Sequence, residues 1–267
     1  MKKVILGIDL QNDFTSPNGS LFVQGADSDI RNISTFIEEF GSNIDLIALT
    51  LDSHQPIHIA TQSYWKDSEG YPPALFTTIT ATDIEQGKWT AQYNEGLALD
   101  YLKALKQNAE LCTIWPPHCI IGSKGWAINE ILMKALYAWC ISEKKSYELF
   151  YKGMHQATEH YSIFRAAVEY PDAEETMLNI KLLNRLDTFD QIIVIGEAAD
   201  YCVANSLNDM LKARPHLATK TVVLTDCMSW IDPNNERAKY IYDNAQNQGV
   251  AFMTSKAYKA KHSSSEI

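Results

Sequence analysis

Short apolar runs rich in β-branched residues recur along this 267-residue chain, and the stretches between them carry their apolar residues at helical spacing. The runs cover residues 4–8, 44–51, 147–151, 191–195, 221–225 and 250–253. Runs this short, bounded by turn residues, suit strands buried on both faces. Between them, Ile30, Ile33, Phe36, Ile37 and Phe40 mark one face of a helix, and Ile128, Ile131, Leu132, Ala135, Leu136 and Trp139 mark another. Further helices are expected over 177–186, through Val203, Leu207, Met210 and Leu211, and through Ala238, Ile241 and Ala245. Strand, helix, strand repeated in this way predicts an α/β fold with a parallel sheet and right-handed crossovers. The length and the 46% hydrophobic content suit one globular domain over residues 1–267, with no internal repeat.

Residues 59–107 resist ordering by periodicity. Tyr71-Pro72-Pro73 and Gly87 mark turns, Leu97, Tyr101, Leu102 and Leu105 suggest a helix, and Trp65, Phe76 and Trp89 are candidates to cover a pocket. The tail from Ser255 is polar and expected to fray.

The formal charge of −10, from 33 acidic against 23 basic side chains and without a basic stripe, disfavours nucleic acid or an anionic membrane as partner. A small neutral or cationic ligand fits better. The first apolar run is broken by Asp9, too early for a signal-peptide core, and no later run spans a bilayer, so a cytoplasmic protein is expected. Five cysteines without a Cys-x-x-Cys pair then read as reduced thiols.

Chemistry gathers where the strands end. Asp9 follows the first run, and Asp52, His54 and His58 follow the second, a carboxylate and two imidazoles of the kind that ligate zinc, iron or manganese. His118 comes after Trp115-Pro116-Pro117, whose prolines fix its direction and make it a candidate third ligand, while Trp115 offers a flat face to an aromatic ligand. Cys119 reads as packing rather than as a ligand. Lys152 ends the run at 147–151; if it points inward, its charge pairs with Asp9 and favours a thiolate. Cys202, after the run at 191–195 and Gly196, is expected in the first turn of a helix, where backbone N–H groups and the helix dipole favour a thiolate and can receive an oxyanion. Open α/β sheets collect their ligands at this edge.

The runs Ile8-Asp9-Leu10-Gln11-Asn12-Asp13-Phe14, Gly19-Ser20-Leu21-Phe22-Val23, Asp52-Ser53-His54, Trp115-Pro116-Pro117-His118-Cys119, Tyr151-Lys152-Gly153 and Ala198-Ala199-Asp200-Tyr201-Cys202-Val203 occur in one order over most of the chain. In them the sequence resembles the nicotinamidase and pyrazinamidase branch of the isochorismatase-like cysteine hydrolases. The resemblance implies a three-layer sandwich with a six-stranded parallel sheet and helices on both faces. It implies a catalytic triad of Asp9, Lys152 and Cys202, and a cis peptide before Ala198 that turns the Ala198 and Cys202 N–H groups inward as an oxyanion hole. Phe14, Trp115 and Tyr201 become the substrate-binding residues. Asp52, His54 and His118 become ligands of a divalent metal, zinc before iron or manganese, with His58 a ligand directly, through water, or not at all.

The implied activity is hydrolysis of nicotinamide to nicotinate and ammonia through a thioester, serving NAD salvage. The alternative is a related C–N hydrolase acting on another amide, carbamoyl or ureido substrate; a binder without turnover is disfavoured by the retained Asp9, Lys152 and Cys202. Ser53 and Ala199 depart from the residues common in relatives, and segments 65–110 and 165–186 are longer than in compact nicotinamidases. These insertions are candidates for a lid, a homo-oligomer interface or a pocket for a different amide.

Overall fold

The computed structural model describes residues 1–108 and 110–263. Its strands, in chain order, are β1 (Lys3–Ile8), β2 (Leu46–Asp52), β3 (Trp65–Lys66), β4 (Thr78–Ile79), β5 (Thr90–Ala91), β6 (Cys112–Thr113), β7 (Glu148–Lys152), β8 (Gln191–Gly196), β9 (Thr221–Leu224) and β10 (Ala251–Met253). Its helices are α1 (Asn12–Thr15), α2 (Ala26–Phe40), α3 (Ala81–Glu85), α4 (Glu95–Gln107), α5 (Glu130–Glu143), α6 (Ile180–Asp187), α7 (Ala204–Ala213), α8 (Glu236–Asn247) and α9 (Ser255–Ser263).

The six apolar runs become one parallel sheet in the order β10-β9-β8-β1-β2-β7. Alternate side chains of each strand enter opposite cores, as the two-residue period of a strand requires. Val4, Leu6 and Ile8 pack with Leu182 and Leu186 of α6, Leu207 of α7 and Ile241 of α8. Ile5, Ile47 and Ile193 pack with Ile33 of α2, Leu136 of α5 and Tyr258 of α9. From β1 the chain steps outward through β2 to β7, returns as β8 on the other flank of β1, and steps outward again through β9 and β10. The crevice of such a sheet lies at the carboxyl ends of the strands flanking this reversal.

Two expectations change. Residues 255–263 are helical rather than frayed, because Tyr258 is wholly buried against Phe36 and Phe40; residues 264–267 of that tail lie outside the described residues. The segment without periodicity forms two antiparallel ribbons, β3 with β5 and β4 with β6, around a third core of Tyr64, Trp65, Ile79, Tyr101, Leu102 and Ile114. Trp65 is a member of that core, its indole N–H donating to the Ile59 carbonyl at 2.6 Å, and is not a pocket cover. Trp89 packs at the edge of the same core, and Phe76 stands 6.0 Å edge-on to Trp115. No helix among the described residues is long and apolar enough to cross a membrane.

Candidate active site

Four strands deliver their last residues to one place. Asp9 follows β1, Asp52 ends β2, Lys152 ends β7 directly opposite Asp52 in the sheet register, and Cys202 lies six residues beyond the end of β8. Gln11 fastens the β1 and β2 ends: its side chain donates to the Asp52 carbonyl and accepts from the Asp52 N–H, each at 2.7 Å. Asp9 adopts a left-handed backbone (φ 52°), a conformation aspartate tolerates better than most residues. Its N–H donates to Thr50 Oγ1 at 3.1 Å, and that hydroxyl donates back to Asp9 Oδ1 at 2.6 Å.

Lys152 Nζ lies 3.0 Å from Asp9 Oδ2 and 3.0 Å from Asp52 Oδ1. Burial alone would drive this ammonium toward neutrality, but Asp52 and Asp9 outweigh it and hold it charged. Burial raises the Asp9 carboxyl and the Asp52 charge raises it further, against the pull of Lys152 and Thr50. The Cys202 thiol faces Asp9, and burial, with both carboxylates adding to it, pushes its pKa well up although Lys152 draws it down. The thiolate expected from the sequence is thus replaced by a thiol next to a carboxylate of enhanced basicity. Cys202 lies in the first turn of a helical stretch, as expected, but that turn is widened: over Ala199–Val203 the Val203 N–H reaches the Ala198 carbonyl five residues back, and the regular α-helix continues from Ala204. The peptide between Glu197 and Ala198 is cis.

Asp52, His54 and His118 present ligand atoms that all lie within 4.8 Å of one another. His54 Nε2 is 3.0 Å and His118 Nε2 is 3.4 Å from the same oxygen, Asp52 Oδ2. The other ring nitrogens face carbonyl oxygens, His54 Nδ1 at 3.1 Å from Gly153 and His118 Nδ1 at 2.7 Å from Pro116. A carbonyl can only accept, so each Nδ1 carries the proton and each Nε2 of the neutral ring is left bare, the arrangement that second-shell carbonyls impose on metal-binding histidines. Burial works against protonation of His54, but the Asp52 carboxylate overcomes it and raises the imidazole to about 8. Two imidazoles that present Nε2 to one carboxylate fit a divalent ion, which would take the place of the proton that Asp52 favours on His54 Nε2. His58 lies tilted against His54, its ring centre 4.3 Å away, but its Nε2 donates to the Thr158 carbonyl at 3.2 Å and its Nδ1 accepts from the Ala60 N–H at 3.3 Å.

Phe14, Trp115, Tyr201, Ala198 and Cys202 line one cavity together with Asp52 and His118. Trp115 stands perpendicular to Tyr201 at 5.1 Å, and Phe14 is edge-on to His118 at 5.3 Å. Leu21, Glu159, Tyr161 and Ile231 complete the wall. Sequence reasoning gave no site role to Leu21, Glu159, Tyr161 or Ile231; Leu21 lies in one of the matching runs, whereas nothing local marks Glu159 or Ile231. The free space is about 20 Å³, enough for one water-sized molecule. A larger cavity of about 500 Å³ beyond Tyr161, bordered by Arg165, Lys212 and Arg237, contains none of these reactive groups.

No family model matches the chain. It is 27% identical over 224 residues to a nicotinamidase of Saccharomyces cerevisiae, covering 84% of this chain and 86% of that protein. Among solved structures it resembles an Acinetobacter baumanii nicotinamidase and pyrazinamidase with a TM-score of 0.66 at 25% identity, covering 96% of this chain and 98% of the other. It also shares the fold of a Pyrococcus horikoshii pyrazinamidase solved in complex with zinc, with a TM-score of 0.55 at 18% identity, covering 95% and 99%.

Proposed function

We infer that this chain, which belongs to the nicotinamidase branch of the isochorismatase-like hydrolases, hydrolyses nicotinamide to nicotinate and ammonia through a thioester on Cys202. The observation that carries the reading is the meeting of Asp9, Lys152 and Cys202 beside three metal-capable side chains, with Cys202, Asp52 and His118 lining one cavity. In the cytoplasm such a reaction would return the pyridine ring to NAD synthesis.

Asp9 takes the Cys202 proton as sulfur attacks the carboxamide carbon, and the new oxyanion falls to the Ala198 and Cys202 N–H groups. The C–N bond then breaks as Asp9 returns the proton to the departing nitrogen, releasing ammonia. Asp9 next deprotonates a water, which attacks the thioester carbon; collapse expels the sulfur, and the proton on Asp9 restores the thiol. Lys152 stays an ammonium throughout and offsets the charge that moves between Asp9 and the sulfur. A thiol at rest agrees with this cycle, since Asp9 is then the resting base. Phe14, Trp115 and Tyr201 would enclose the ring, with Tyr201 or Ile231 moving to enlarge the cavity.

The metal would be held by Asp52, His54 and His118, zinc before iron or manganese, with His58 packing behind His54. When bound it would supply a Lewis-acidic anchor for the ring nitrogen.

Ammonia release from nicotinamide, pyrazinamide and a panel of carbamoyl, ureido and aliphatic amides tests the reading. Zinc-loaded protein is expected to turn over the two pyridine-type amides, with a loss of roughly 10-fold or more after chelation and recovery on adding zinc back. Turnover confined to the other amides would replace nicotinamide by that class.

A further inference from the structure

Glu197 opens the turn that carries Ala198 and Cys202, yet the mechanism above makes no use of it. Its side chain is wholly buried. Oε2 accepts the Ser229 N–H at 3.0 Å, while Oε1 meets no donor N–H or O–H among the described residues. The neighbouring group is a second buried carboxyl, Asp29 of α2, which accepts the Ser229 hydroxyl at 2.5 Å. Two carboxyls can hydrogen-bond to each other only through a shared proton. The other titratable groups that face this pair are Asp27 from α2, Asp226 and the Cys227 thiol from the loop after β9, Asp200 from the same turn and the Tyr242 phenol from α8, all of them acids.

The same turn and loop are strapped together along their length. The Gly196 N–H donates to the Cys227 carbonyl at 3.0 Å and the Ala199 N–H to the Ser229 carbonyl at 2.8 Å. Asp200 receives the Ile231 and Asp232 N–H groups, both at 2.9 Å. The loop therefore sets Ile231 on the cavity wall and the turn sets Ala198 and Cys202, with the Glu197–Asp29 pair at the root of the strap.

We propose that Glu197 is a positioning residue for the reaction: by sharing a proton with Asp29 it locks the Ala198–Cys202 turn to the loop bearing Ile231, and loss of that proton loosens the lock. The proposal rests on the amidase reading above. Burial and the Asp29 charge both hold Glu197 well above the ordinary carboxyl range. An acid that keeps its proton better folded than unfolded contributes stability that is present below its unfolded value and is lost as pH climbs toward its folded value. Above that, two carboxylates face each other among acids.

Full-length wild type, Glu197→Gln and Glu197→Ala are compared by melting temperature and by kcat and KM for nicotinamide across about pH 5 to 9.5. The Gln amide can donate to Asp29 and accept from Ser229 without titrating. It is expected to flatten the alkaline fall in melting temperature and to move the alkaline limb of kcat to higher pH. Glu197→Ala is expected to lower kcat roughly 10- to 100-fold, the scale of a displaced reacting group, with KM changed less than about 3-fold. Superimposable wild-type and Gln profiles, or a kcat for Glu197→Ala within about 2-fold of wild type, would overturn the proposal. Should wild type release no ammonia, the substrate reading fails by itself, and the melting profiles with the rate of Cys202 alkylation by iodoacetamide still test Glu197. A slower or faster alkylation by roughly 10-fold in Glu197→Ala supports it, and an unchanged rate overturns it.

Discussion

Lys152 has 2% of its surface exposed and carries its charge between two buried carboxylates, each 3.0 Å from Nζ. An ammonium in that place is tolerable because two anions repay its desolvation, and the three groups depend on one another. Arginine would suit the position poorly, since a planar fork cannot stand where a compact point charge bridges two acids. Lys152→Met leaves Asp9 and Asp52 facing each other without the ammonium between them. Urea denaturation at neutral pH should show a loss of about 3–5 kcal/mol, the usual scale for orphaning a buried charge, with ammonia release lost as well. A variant as stable as wild type would show that the three charges are not coupled as the distances imply. The identities of these residues were readable because each follows an apolar run that must end at the sheet edge. The protonation of Cys202 was not, because it is decided by how deeply distant strands bury the thiol and by Asp9 and Asp52 together.

At the scale of elements, the register between β2 and β7 sets Asp52 opposite Lys152, and the residue after Lys152 then passes close behind the metal-capable group. Gly153 has φ +80°, and a Cβ there would lie 2.6 Å from Asp52 Oδ1 and 2.9 Å from His54 Cε1. Gly153→Ala should therefore push both side chains off their common focus and weaken zinc binding by roughly 10- to 100-fold, read by calorimetric titration. Gly70→Ala is the control: its φ is +92° with no atom within 4 Å of the added Cβ, so it carries the backbone strain without the crowding. Equal zinc affinity in Gly153→Ala and Gly70→Ala would refute the crowding argument. The four inner strands were legible because each buries a continuous apolar run, whereas the edge strands β7 and β10 are only partly buried and were legible from their apolar residues alone. The two-residue strands β3 to β6 were not, because a pair of residues has no period and their pairing is fixed by the core they enclose.

Across the whole molecule the described residues form four buried cores, and the cavity is lined by members of the first (Cys202, with Tyr201 packed against it) and of a small fourth one (Phe14 and Ala198, with Leu21 packed against it). Two sandwich the sheet and fix Asp9, Lys152 and Cys202; the third belongs to the segment between β2 and α5 and packs Ala167 and Val168 of the second long segment against its side. Trp115 is the seam, since its N–H donates to the Ala60 carbonyl at 2.8 Å and its indole N–H donates to the Tyr161 hydroxyl at 3.1 Å. Trp115 is thus held by the third unit, whereas Tyr201 packs on the same core as Cys202 and Phe14 packs with Ala198. Trp65 is the largest fully buried side chain of the third unit, and truncating such a residue costs about 3–5 kcal/mol. Because that core shares none of its buried residues with the other two, the cost of Trp65→Ala should appear as local opening. Limited proteolysis should cut first within 65–110, and KM for nicotinamide should rise roughly 10-fold as Trp115 loses its support, with kcat held within about 3-fold. A fall in kcat matching the rise in KM, or proteolysis spread evenly over the chain, would mean that the third core and the sheet open as one unit and that Trp115 is not separable from the chemistry.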